Sequence, residues 1–195
     1  MGYHPNGVPV LDGVSAQVFA GEILAVTGPS GSGKSSLLAL LAGLAEPDSG
    51  AVLSSVPPAS TGLVLQAYGL VNLLTAAENV EVALQARGFD AARVQSAAAA
   101  ALAAVRLDDV ADHLIEELSG GQQQRVAIAR AFALEPALLI ADEVTAELDR
   151  ETRNVVVDLL LSAAAGGAAV VLATHDLDLA GHCDRRLALV DGRVA

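Results

Sequence analysis

One stretch limits what this chain can fold into more than any other: Gly28-Pro29-Ser30-Gly31-Ser32-Gly33-Lys34-Ser35. It fits the phosphate-loop pattern G-x-x-x-x-G-K-[ST]. Ile23–Thr27 before it is an apolar run that reads as a buried strand, and Ser36–Leu44 after it reads as a helix. A strand, a glycine-rich turn and a helix form the scaffold that polyphosphate binding needs. Glycines let backbone N–H groups close around the anion, and the helix start adds partial positive charge. Lys34 can reach the outer phosphates, and the Ser35 hydroxyl can ligate Mg²⁺. Lys34 is also the chain's only lysine.

Composition narrows the partners. The 195 residues carry a formal net charge of −12 and are 53% hydrophobic with few aromatics. The apolar share suits helices on a parallel sheet. The acidity disfavours nucleic acid and repels an anionic membrane surface. No apolar run approaches the ~18 residues of a membrane span. No leader is recognised, so a cytoplasmic location is expected. Cys183 is alone, which leaves a free thiol and no internal disulfide.

Along the chain, His4–Gly7 is turn chemistry, and Val14, Ala16 and Val18 alternate as a half-buried antiparallel strand would. Short strands are expected near 51–54 and 62–65, the second ending at Gln66. Thr75 and Glu78 form a capping box, and an alanine-rich helix runs over about 90–107. Ser119 and Gln122 cap a helix that continues to about Leu134. Ala137–Ala141 is a buried strand ending in Asp142-Glu143, and Asp149 caps a helix to about Ala165. Ala168–Ala173 is a further strand, ending at Thr174-His175. Asp191-Gly192 joins two strands as a hairpin. No strand is evident between Gln66 and Ser119, so a helical subdomain over about 67–135 is expected within a single 1–195 domain.

Two constellations carry chemistry. Asp142 and Glu143 end a strand beside the phosphate loop, where an Asp can hold a Mg²⁺ shell and a Glu can polarise an attacking water. Ser119-Gly120-Gly121-Gln122 opens a helix with exposed N–H groups and a hydroxyl, a second anion site. One nucleotide rarely needs two such sites; two copies of the chain sandwiching it head to tail would use both.

Leu118–Arg125, read L-S-G-G-Q-Q-Q-R, resembles the signature of ABC ATPases, and the order phosphate loop, Gln66, signature, Asp142-Glu143, His175 is that family's order. Residues 62–66 and 73–80 are similar to the lipoprotein-releasing and macrolide-exporting type. The resemblance implies an α/β P-loop NTPase with a mainly parallel sheet, a small, truncated antiparallel β region and a helical insert. It implies ATP and Mg²⁺ as ligands. Tyr3 would stack on adenine, and Gly28, Pro29, Ser30, Gly31, Ser32, Gly33, Lys34, Ser35 and Ser36 would bind the triphosphate. Ser35, Gln66 and Asp142 would serve the metal, Glu143 would be the base and His175 would meet the γ-phosphate. Ser119, Gly121 and Gln122, with Gly120 between them, would reach the γ-phosphate bound by a second subunit, and Asp149 would couple the two sites.

The implied protein is the ATPase subunit of a transporter, peripheral on the inner membrane face and bound to transmembrane permease subunits. The alternatives are a soluble non-transport ABC ATPase and a truncated subunit with little turnover. A guanine-reading N-K-x-D is excluded, since no lysine follows Lys34. The chain departs from the family in three places: it opens at Tyr3 without a preceding strand, it is short over 50–62, and Val144 stands where the family carries Pro.

Overall fold

The computed structural model describes residues 1–7 and 9–195. A six-stranded sheet has the order β2-β3-β4-β1-β5-β6, with β1 at Ile23–Thr27, β2 at Thr61–Val64, β3 at Leu138–Asp142, β4 at Ala169–Ala173, β5 at Arg185–Val190 and β6 at Arg193–Val194. Neighbours pair in parallel except β5 with β6, which form an antiparallel hairpin at one edge. Its turn has Asp191 and Gly192 at φ 48° and 75°, the left-handed pair that a two-residue hairpin needs.

The central strands β1, β3 and β4 are buried on both faces, which is why they read as continuous apolar runs rather than alternations. Val26, Ile140, Val171 and Ala173 face one core, under α1 (Lys34–Leu41) with its Leu37, Leu38 and Leu40. Ile23, Leu139, Ala141, Val170 and Leu172 face the other, which holds Val156, Leu160 and Ala164 of α5 (Arg150–Ala165). That second core continues into α2 (Ala76–Ala86), α3 (Ala91–Ala104) and α4 (Gly120–Ala133). These three helices pack on one another, and α4 also packs on β2. Residues 65–137 contain no named strand, as the sequence indicates.

Two expected strands are absent among the described residues. Residues 14–18 form no strand: Val14 is buried, but Ala16 is exposed and the segment finds no neighbour to pair with. Residues 51–54 are irregular, and just before them Ser49 forms only an isolated bridge with Gly2. The antiparallel β region thus reduces to isolated bridges, Tyr3 with Leu11 being another, and the β5–β6 hairpin. A one-turn helix, α6 (Leu177–Ala180), lies beyond β4 and is capped by Asp176.

Candidate functional site

The phosphate loop leaves the C-terminal end of β1 and is clamped from the edge of the sheet. A Cβ on Gly28 would lie 2.1 Å from the Leu189 carbonyl oxygen of β5, so no other residue fits there. Gly33, at φ 98°, turns the chain into α1 without any side-chain cap, leaving the helix's first amides to a ligand. Lys34 is 9% exposed, and its Nζ donates to the carbonyls of Gly28 at 2.9 Å and Pro29 at 3.1 Å.

A cavity of about 540 Å³ opens beside this loop. Ser30, Gly31, Gly33, Lys34, Ser35, Ser36, Gln66, Asp142, Glu143 and His175 all line it. Four separate chain segments therefore converge where the sequence places them. The parallel sheet causes this, because its strands deliver their C-terminal ends to one crevice. Burial holds the Asp142 carboxyl above the usual carboxylate range; Glu143 adds to the rise, and the Ser35 hydroxyl and Lys34 oppose it. Glu143 Oε2 sits 2.8 Å from His175 Nδ1.

Cavity and cradle fit a nucleoside triphosphate: the volume lies within the ~300–1,000 Å³ of ligand sites. Ser35, Gln66 and Asp142 offer hard oxygen donors with one carboxylate, the set that suits Mg²⁺ completed by phosphate oxygens.

Other expected residues lie elsewhere. Gly28 and Pro29 act through Lys34, and Ser32 is buried. Tyr3 does not line the cavity; it is half-buried against the α1 core, and its carbonyl accepts from the N–H of cavity-lining Val10 at 2.9 Å. Ser119, Gly120, Gly121 and Gln122 also lie outside it, at the start of α4. There the capping box is complete: Gln122 N–H donates to Ser119 Oγ at 3.3 Å, and Ser119 N–H to Gln122 Oε1 at 2.8 Å. Asp149 caps α5; donors from the backbone and side chain of Thr152 hold its carboxyl low.

Sequence reading missed several groups. Gln124 and Glu147 line the cavity. The Tyr68 hydroxyl donates to Glu147 Oε2 at 2.9 Å; burial, then Glu147, pushes the phenol up to about 12. Arg130 donates to the Tyr68 and Gly69 carbonyls, and buried Asn79 bonds Val71 through both N–H and C=O. Tyr68 and Leu70 pack on the core, while Val71 and Leu73 stay exposed at 49% and 82%. The Gln124–Glu143, Arg130–Tyr68 and Tyr68–Glu147 contacts each join residues far apart in sequence and belong to no local pattern.

Comparison with known proteins agrees with this architecture. The sequence pattern described as ABC transporter matches residues 11–146. The ABC transporter ATP-binding protein YbbA of Escherichia coli K12 is 42% identical, covering 100% of this chain and 92% of its own. The macrolide export ATP-binding/permease protein MacB 2 of Aeromonas hydrophila is 39% identical over 96% of this chain but only 31% of its own length. The dimeric post-hydrolysis structure of the ATP-binding cassette MJ0796 with ADP and Pi superposes with a TM-score of 0.89 at 35% identity, covering 95% of this chain and 88% of that one. Fold, loop geometry and relatives agree, and the chain belongs to the ABC transporter family as one of its ATP-binding proteins.

Proposed function

We propose that this chain hydrolyses ATP to drive a transporter, working as a head-to-tail pair on separate membrane-spanning permease subunits. The observation that carries the reading is the convergence of Lys34, Ser35, Gln66, Asp142, Glu143 and His175 on one cavity, with a second anion-binding helix start outside it. When bound, Mg²⁺ would neutralise phosphate charge, held by Ser35, Gln66 and Asp142. Lys34 and the loop amides of residues 28–36 orient the triphosphate, and the adenine extends past Val10 toward Tyr3. Glu143 takes the proton of the attacking water, and His175 orients its carboxylate and meets the γ-phosphate. Ser119, Gly120, Gly121 and Gln122 close on the γ-phosphate held by the other copy, and Asp149 lies in the loop that links the two sites.

Residues 67–135 are read as a helical subdomain within one domain. No helix among the described residues is long and apolar enough to cross a membrane; the permease is read as separate subunits, with this chain at the inner membrane face. Exposed Val71 and Leu73 lie on the loop after Gln66 and suit an apolar docking helix of that permease.

The test is steady-state hydrolysis by Glu143→Gln. A general base contributes ~10²–10⁴-fold, so turnover is expected to fall by that factor while ATP affinity is retained. Turnover near wild type would remove Glu143 from the role of base. Charge substitutions at Val71 and Leu73 are expected to break co-purification with the permease and leave ATP binding intact.

A further inference from the structure

We infer that Gln124 is a positioning residue for hydrolysis, its amide holding the strained backbone of Glu143; the inference rests on the reading of Glu143 as base. Gln124 lies on α4 one turn after Gly120, is 3% exposed and lines the cavity. Its Nε2 donates to the Glu143 carbonyl oxygen at 2.9 Å. Glu143 directly follows β3 and has φ 52°, a left-handed conformation that a side-chain-bearing residue keeps only where its surroundings over-determine it. Its N–H donates to the Ala173 carbonyl at 3.0 Å, and its carboxylate meets His175, a ring 69% exposed. Gln124 adds the hold on the carbonyl side, from a buried side chain rather than an exposed ring. Val144 follows, without the fixed φ that a proline would contribute.

The second observation is the other end of the same amide. Gln124 Oε1 is sealed from solvent and has no hydrogen-bond partner among the described residues. The orientation is set by chemistry, since the Glu143 carbonyl requires a donor and only the NH₂ end supplies one. A buried acceptor without a partner lowers stability. An apolar side chain of the same length would remove that penalty, so the amide is better explained by what it holds than by packing.

The experiment compares wild type with Q124M, Q124E, E143Q and the Q124M/E143Q double variant, by steady-state ATP hydrolysis and thermal melting. Q124M is expected to melt close to wild type, since it removes the unpartnered acceptor together with the donor to the Glu143 carbonyl, with KM within about twofold and kcat reduced roughly 10–100-fold, the range typical of residues that orient a catalytic group. On the E143Q background the same change is expected to lower turnover by no more than about twofold, because both act through one group. Q124E keeps the length, but an ionised carboxylate donates nothing. Its kcat relative to wild type should be low at pH 8 and climb as pH falls and an O–H donor returns. Q124M at wild-type kcat overturns the inference, and so does a full-sized loss on the E143Q background. If Q124M does not fold, the Q124E ratio decides, and a flat ratio overturns the inference. E143Q at wild-type turnover overturns the base reading itself; Q124M at wild-type kcat beside an inactive E143Q overturns only the positioning.

Discussion

The two helix starts that can bind an anion are built in opposite ways. At α1, Gly33 provides no side-chain cap, the loop is clamped by β5, and Lys34 lies buried among cavity-lining residues. At α4, Ser119 and Gln122 cap one another, Ser119 and Gly120 are exposed, and Glu147 lies close enough that a Cβ on Gly120 would meet its Oε2 at 2.7 Å. A helix's first amides have no intrahelical partner, so the capping box still leaves those of Gly120 and Gly121 to a ligand. The first start is nearly a complete site within one chain. The second is preformed and self-supporting but lies outside the cavity, the arrangement that the proposed head-to-tail pair would use.

Substitutions can separate the halves. Gly121→Asp places a carboxylate where the second anion would land. Hydrolysis is expected to fall ~10²–10³-fold, as when a transition-state anion loses a donor, while ATP affinity of the single chain stays within about twofold. Loss of binding as well, measured by titration with a fluorescent ATP analogue, would mean that both starts serve one nucleotide within one chain. Lys34→Ala should reverse the pattern, lowering ATP affinity by about 10–100-fold, the worth of a charge-assisted contact, in a protein that still folds.

Asp142→Asn sharpens the contrast on stability. A carboxyl whose native pKa is raised binds more protons folded than unfolded, so its contribution to stability falls as pH rises through the window above the ordinary carboxylate range. The ligand-free variant should therefore melt a few degrees higher at pH 7 and depend less on pH through the window above the ordinary carboxylate range, while losing turnover. Differential scanning calorimetry from pH 4 to 8 checks this; a lower melting temperature would mean that the Ser35 and Lys34 contacts outweigh burial. The smallest effect is expected for Glu147→Gln, which keeps a hydrogen-bond acceptor for Tyr68 but removes the charge beside Gly120. ATP-driven association should tighten by about two- to fivefold, the scale of an exposed charge contact.

What was legible in the sequence follows the same division. The phosphate loop, the capping boxes at Thr75 and Ser119, and the Asp142-Glu143 strand end are local patterns, and the structure forms each of them. A parallel sheet then carries Gln66 and His175 to the loop, which strand order alone dictates. Residues 14–18 form no strand because alternation marks a half-buried surface without guaranteeing a partner strand, and 51–54 is irregular as well. Gln124, Arg130 and the Tyr68–Glu147 pair were not legible, since each bonds a residue 19 to 79 positions away.

The central claim, that two half-sites close around ATP, is tested most directly by the mass of Glu143→Gln in solution. Size-exclusion chromatography with light scattering, at saturating ATP and Mg²⁺ and at moderate salt to screen the −12 charge on each copy, should give a dimer with ATP and a monomer without it. A variant that binds ATP yet remains a monomer at high protein concentration would contradict the account.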